Sequence, residues 1–179
     1  QLDHLDMHMY HDHPIYPQKR WSLPAAYKQD ADTADFAGTI GAATARQIGK
    51  PYTVTELNYC APNIFRSESA GLVGAYAALQ DWDGIYRFAF THDKHLIENE
   101  GGIKGFDSVY DPINTIVDRI LYFLFERGDV NTADQTAAIE WNHATLKDFK
   151  EFPDDFRYLL LYEKTGVIKH PVEKIVINK

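Results

Sequence analysis

One cysteine, Cys60, stands in a chain of 179 residues, so no disulfide can close within it and no zinc site can be built from its thiols. Positive charge is scarce as well: 18 Lys and Arg against 26 Asp and Glu leave a net charge of −8. With no Lys/Arg cluster to offset that surplus, nucleic-acid backbones and anionic membrane surfaces are disfavoured as partners. No apolar run approaches the length that spans a bilayer. No strand-like segment leads into a glycine-rich phosphate loop: Gly101-Gly102-Ile103-Lys104-Gly105 matches neither nucleotide fingerprint. A Gly-x-Ser-x-Gly nucleophile elbow is missing too. What is there is ordinary globular composition, 45% apolar and 13% aromatic, and enough chain for a core of one-domain size.

Leu5, Met7 and Met9 alternate with Asp6, His8 and Tyr10, and this period of two predicts a strand. A polar loop follows from His11 to Asp30. Thr33 to Ile48 reads as a helix, with Phe36, Ile40, Ala43 and Ile48 near helical spacing and Gly49 placed to end it. Tyr52 to Asn58, rich in β-branched residues, predicts a second strand. Ser67 is placed to cap a helix to Gln80, whose Leu72, Val73, Tyr76 and Leu79 form an apolar stripe. Ile85 to Phe90 reads as a third strand, and Thr91 to Tyr110 as a loop long enough to suggest function. Asp111-Pro112 starts a helix as cap and first residue. Its Ile113, Ile116, Val117, Ile120, Leu121, Phe123, Leu124 and Phe125 predict heavy burial, and Gly128 ends it.

Residues 5–128 thus alternate β-α-β-α-β-α, which predicts an α/β fold with a parallel sheet. Beyond a boundary near 131–136 the texture changes. Ala137–Lys150 reads as a short helix; Tyr158–Glu163, Thr165-Gly166 and Val172–Ile177 read as antiparallel strands around a turn. Gln1 leads almost at once into a strand pattern, and the chain stops soon after Ile177; a piece of a longer protein is expected.

In parallel α/β folds ligands lie at the carboxyl ends of the strands. That rule selects His8 to His13, Glu56 to Tyr59, and Phe90 to Asp93. Strict alternation puts Glu56 on one face with Val54 and Asn58. A partly desolvated carboxylate there must be paired or used. His8 and Tyr10 share a strand face and are natural hydrogen-bond partners for it, donors that favour an ionised carboxylate. A structural ion pair is the competing use. His4, His8, His11 and His13 with Asp6 and Asp12 are the densest group of metal-ligand types, and His11-Asp12-His13 at a strand end suits a metal-dependent hydrolase with help from His92. Pro14 and the alternation of faces weigh against it. Glu68, Glu98, Glu100 and Asp107 read as solvated or capping charges. Trp21, Tyr59, Phe65, Trp82 and Tyr110 fall on loops or turns, where rings stack on sugars or pack a core.

Taken in order, these segments resemble the C-terminal part of a retaining glycoside hydrolase of clan A, the large (β/α)8-barrel (TIM barrel) group. Pro51-Tyr52-Thr53-Val54-Thr55-Glu56-Leu57-Asn58 is similar to the strand that ends in the nucleophile, strand seven. Asp6-Met7-His8-Met9-Tyr10 resembles strand six, whose Tyr contacts that nucleophile, and the segment from Ala75 to Phe90 resembles helix seven and strand eight. Asp111–Phe125 followed by Arg127-Gly128-Asp129 resembles the last barrel helix. The resemblance spans roughly residues 2–130 and implies a partial barrel over 1–131, with strands six to eight and their helices. Residues 132–179 would begin an appended β-rich domain.

The same resemblance implies cleavage of glycosidic bonds by double displacement, with Glu56 as nucleophile and Tyr10 and His8 orienting it. Asn58, Tyr59, His92 and Phe90 would line the sugar site. No cofactor or metal is implied; the partners would be an oligosaccharide or glycoside and either a second copy or the missing N-terminal half of the barrel. A secreted or periplasmic location is expected over a cytoplasmic one. Two departures stand out. The family's acid/base Glu belongs to strand four, ahead of this chain, so the isolated chain is expected to be inactive or nearly so on ordinary substrates. Where many members end strand eight in a Trp, this chain has Phe90, Thr91 and His92. A non-catalytic carbohydrate-binding or scaffold fragment is the remaining alternative.

Overall fold

The computed structural model describes residues 3–34, 37–140 and 158–168. In chain order it contains β1 (Leu5–His11), α1 (Ala37–Thr44), β2 (Tyr52–Tyr59), α2 (Glu68–Leu79), β3 (Gly84–Arg87), α3 (His95–Glu98), α4 (Pro112–Leu121), β4 (Thr136–Glu140) and β5 (Lys164–Ile168). The first three strands form a parallel sheet in the order β1-β2-β3.

One face of that sheet is apolar. Leu5, Met7 and Met9 of β1, Tyr52, Val54, Leu57 and Tyr59 of β2, and Ile85 of β3 join a single core with Ala42 and Ala43 of α1, Ala70, Val73 and Ala77 of α2, and Val117 and Leu121 of α4. The opposite face is polar, with Asp6 and His8 exposed beside half-buried Tyr10 and Glu56. Tyr86 stands on β3 at 59% exposure.

The pairing of β1 with β2 contains an irregularity. Met7 pairs with Val54, yet His8 pairs with Glu56, so Thr55 is an extra residue in β2. Such a bulge breaks the strict alternation of faces. Val54 therefore lies in the core while Glu56, two residues on, does not share its face. Alternation alone predicted that they would lie together, and the bulge corrects that expectation.

Local chemistry explains most of the helix boundaries. Asp111 caps α4 by accepting from the amides of Ile113 and Asn114, and Pro112 fills the first helical position where no amide is needed. Ser67 takes helical angles and makes no capping bond. The segment read as one helix from Thr33 to Ile48 is a 3-10 turn at Asp32–Ala34 and then α1, which stops at Thr44. Phe36 lies outside the described residues. The third strand is four residues long and ends at Arg87, short of the predicted Phe90. A π turn at Tyr122–Glu126 follows α4, and Gly128, at φ 77°, supplies the left-handed angle that ends the run. The predicted burial of α4 holds on one side: Val117 and Leu121 are buried, but Ile116, Ile120 and Phe123 are 56%, 37% and 41% exposed. α2 packs against the first side; on the other, Ile116 and Ile120 stay exposed and the Arg127 guanidinium lies over the Phe123 ring at 4.1 Å.

After residue 131 the strand assignments change. Thr136–Glu140 is a strand where a helix was predicted, and it pairs in parallel with β5 instead of forming an antiparallel array. Residues 158–160 form a helical turn where a strand was predicted. Residues 141–157 and the predicted strand Val172–Ile177 lie outside the described residues. Backbone bonds tie β5 to the segment after α1: Ile48 N donates to the Val167 carbonyl (3.0 Å) and Val167 N to the Arg46 carbonyl (2.8 Å). The Gln80 side chain bonds the Leu160 and Glu163 carbonyls and Thr165. These attachments fall at the N-terminal ends of β2 and β3, the end of the sheet away from the loops that follow the strands. No helix among the described residues is long and apolar enough to cross a membrane.

Candidate active site

Glu56 is centred on three side chains of β1. The Tyr10 hydroxyl donates to Glu56 Oε2 at 2.5 Å, and His8 Nδ1 lies 3.2 Å from the same oxygen. His8 Nε2 in turn lies 3.5 Å from Asp6 Oδ2. Asp6 is held by the Thr53 hydroxyl (2.8 Å), the Thr55 amide (3.1 Å) and the Thr55 hydroxyl (2.5 Å). The bulge at Thr55 is what presents both its amide and its hydroxyl to Asp6. Among the described residues no hydrogen bond reaches Glu56 Oε1, and the side chain keeps 30% of its surface open. The carboxylate is thus oriented through one oxygen and bare at the other.

Electrostatics fit that arrangement. Partial burial, the bond to Glu56 and the charge of Glu56 all push the Tyr10 phenol well above its ordinary value, so it remains a donor at any physiological pH. At Asp6 partial burial opposes ionisation, but the Thr55 and Thr53 hydrogen bonds and nearby His8 outweigh it and hold the carboxyl below its ordinary value of 3.8.

Aromatic rings wall the site. Tyr10 meets Phe106 at 5.4 Å, His13 at 5.6 Å and Phe88 at 6.2 Å between centroids, each edge-on. His13 also meets Trp21 at 5.8 Å and Phe106 at 5.3 Å, and Trp21 is 59% exposed. Edge-on packing of this kind leaves ring faces and C–H edges for a ligand. Phe88 and Phe106, from two different loops, are the residues that sequence reasoning missed. No spacing links them; Gly105 is the nearest signal, since a Cβ there would come within 2.8 Å of the Tyr27 hydroxyl.

The other sequence-predicted residues divide. Asn58 is fully buried, and its amide donates to the Phe88 carbonyl (2.5 Å) and the Phe106 carbonyl (2.8 Å). It fastens the two aromatic loops to β2 and has no surface to offer a ligand. Tyr59 is also fully buried and donates to Asp32, with burial and that carboxylate pushing its phenol far up. Phe90 is 61% exposed; it is Phe88, two residues earlier, whose ring faces Tyr10. His92 lies beside Phe88 at 4.9 Å, and its Nδ1 is 2.5 Å from the buried Asp107 carboxylate. Asp107, read as a solvated or capping charge, is therefore part of the site's support.

The residues grouped as metal ligands are spread over separate tasks. His11 Nε2 donates to the Asp30 carbonyl (2.8 Å), and His13 Nδ1 donates to the Pro14 carbonyl (3.0 Å). Asp12, at φ 55°, accepts from Lys28 N (2.7 Å), Gln29 N (3.0 Å) and Asn63 Nδ2 (2.9 Å), closing the loop that carries Trp21. Among the described residues no group of three or more His, Cys, Asp or Glu side chains is gathered so as to hold a metal ion. No family model, no curated protein and no solved structure matches the chain.

Proposed function

We propose that this chain is the C-terminal part of a (β/α)8-barrel retaining glycosidase and that Glu56 is its nucleophile. The observation that carries the reading is the asymmetry of the Glu56 carboxylate: Tyr10 and His8 meet Oε2, and among the described residues no hydrogen bond reaches Oε1. In double displacement Oε1 attacks the anomeric carbon and forms a glycosyl ester, which water then cleaves. Tyr10, kept protonated, holds the attacking carboxylate in place while the edge-on rings of Phe88, Phe106 and His13 exclude water around the sugar.

The barrel assignment rests on the order of the strands and the side on which the helices pack. Strands in sequential parallel order and helices joined in one core on one sheet face suit a barrel sector, whereas doubly wound sheets carry helices on both faces. The exposed Ile116 and Ile120 on α4 suit a helix with a further barrel neighbour. The general acid would belong to an earlier strand, so this chain by itself would cleave glycosides whose leaving group departs without a proton.

The test uses the purified chain with 2,4-dinitrophenyl β-glucoside, β-galactoside, β-mannoside and β-xyloside. Slow release of dinitrophenolate from at least one, lost in Glu56→Ala and restored by azide as a glycosyl azide of inverted configuration, is the expected result. Equal release by Glu56→Ala and the unaltered chain, or no release from any of the four, sinks the reading.

A further inference from the structure

Asp107 is a carboxylate with almost no access to water, its side chain 5% exposed. Its Oδ1 accepts from the His92 backbone amide (3.1 Å) and faces His92 Nδ1 at 2.5 Å, and its Oδ2 accepts from the Thr91 hydroxyl at 3.3 Å. A buried carboxylate is tolerated when donors surround it. In the neutral ring this contact to the carboxylate places the proton on Nδ1 and leaves Nε2 with a lone pair. Phe88 at 4.9 Å and Phe106 at 6.4 Å grip the ring edge-on, while 48% of the His92 side chain remains open. These two phenylalanines also flank Tyr10, the donor to Glu56. His92 and Tyr10, the donor to Glu56, therefore share one aromatic wall of Phe88 and Phe106.

We propose that His92 is a specificity-determining residue of the Glu56 site, its Nε2 accepting a hydrogen bond from a hydroxyl of a neutral sugar, and that Asp107 is the positioning residue that fixes the ring in this tautomer. The proposal rests on the glycosidase reading and names the substrate feature that the reading leaves open. A lone pair at Nε2, with Asp107 behind the ring and the Glu56 and Asp6 carboxylates on the sheet face that Tyr10 shares, disfavours an anionic substituent, so uronic acids and sulfated sugars are selected against. A sugar lacking the hydroxyl would leave Nε2 dry and unpaired, the arrangement that discriminates most strongly.

Long-range 1H–15N correlation spectra of the histidine rings report the tautomer directly, with no sugar present. The unaltered chain is expected to show His92 protonated on Nδ1, and Asp107→Asn to shift the population toward Nε2–H. Titration with the methyl β-glycosides of glucose, galactose, mannose and xylose then measures the contact. His92→Phe, which keeps the edge-on packing, is expected to weaken the sugar bound by about fivefold to tenfold, the worth of one such hydrogen bond, and His92→Gln to recover part of it. A free protein with the proton on Nε2 overturns the proposal whatever the sugars do. Sugar binding at Tyr10 and Glu56 that His92→Phe leaves unchanged overturns it and spares the glycosidase reading. Binding of no sugar by the unaltered chain removes both.

Discussion

Replacing Gln80 by leucine is expected to destabilise the chain by about 3–5 kcal/mol and to release residues 158–168 from the parallel sheet. The Gln80 side chain is fully buried at the end of α2. Its Nε2 donates to the Leu160 carbonyl (2.8 Å) and the Glu163 carbonyl (2.6 Å), and its Oε1 accepts from the Thr165 amide (2.8 Å) and hydroxyl (3.1 Å). A hydrogen bond contributes about 1 kcal/mol net, so these four amount to about 4 kcal/mol. Leucine also strands two carbonyls and an amide, each costing about 1–3 kcal/mol if water does not reach it, while its own burial recovers part of the loss. Urea denaturation gives the stability difference, and hydrogen exchange read by mass spectrometry gives the local one. The reasoning predicts faster exchange across 160–168 well before β2 exchanges. A loss below about 1 kcal/mol, or unchanged protection of that segment, would refute it. Because Gln80 sits at the strand ends away from Glu56, the proposed sugar site should be unaffected.

Other consequences are equally direct. Arg66→Ala should cost about 3–5 kcal/mol in urea denaturation, because Arg66 grips the fully buried Asp111 carboxylate at 2.7 and 3.0 Å and its removal leaves that charge unpaired. Cys60 is buried, and burial with the nearby charge of Asp12 pushes its thiol up to about 12. It should resist a thiol reagent at pH 8 in the folded chain and react fully in denaturant; reaction without unfolding would contradict its placement. Asp6 titrates below 3.8 in the folded chain, so its stabilising contribution is fully present above that value and is lost as pH falls through the lower native value. Asp6→Asn should therefore flatten the acid limb of the stability–pH curve, and an unaltered limb would show that the Thr53 and Thr55 contacts are not made.

Periodicity made the first two strands and the capped start of α4 legible, because those signals are local: alternation in Leu5–Tyr10, β-branched residues in Tyr52–Asn58, and Asp111-Pro112. The pairing of Glu56 with Tyr10 and His8 was legible for the same reason, since β1 alternates without interruption. What escaped was set by contacts distant in sequence. Asp6 on β1 draws in the amide and hydroxyl of Thr55 on β2, and the resulting bulge cannot be read from β2 alone. Thr136–Glu140 has the composition of a helix and becomes a strand by pairing with Lys164–Ile168, which itself extends from Arg46 and Ile48. Asn58 has the look of a ligand contact at a strand end, yet the carbonyls of Phe88 and Phe106 consume its amide. Asp107 looks solvated in a loop of glycines and charges until His92 and Thr91 are seen folded over it.

The central claim is that the free oxygen of Glu56 attacks an anomeric carbon. A 2-deoxy-2-fluoro glycosyl donor with a dinitrophenolate leaving group needs no general acid to react and forms an ester that hydrolyses slowly. Incubation of the chain with the gluco, galacto and manno donors, followed by proteolysis and peptide mass mapping, locates that ester. The account predicts one sugar adduct, on the peptide containing Glu56, and its absence in Glu56→Gln. An adduct on a different carboxylate, or none from any of the donors, would contradict it.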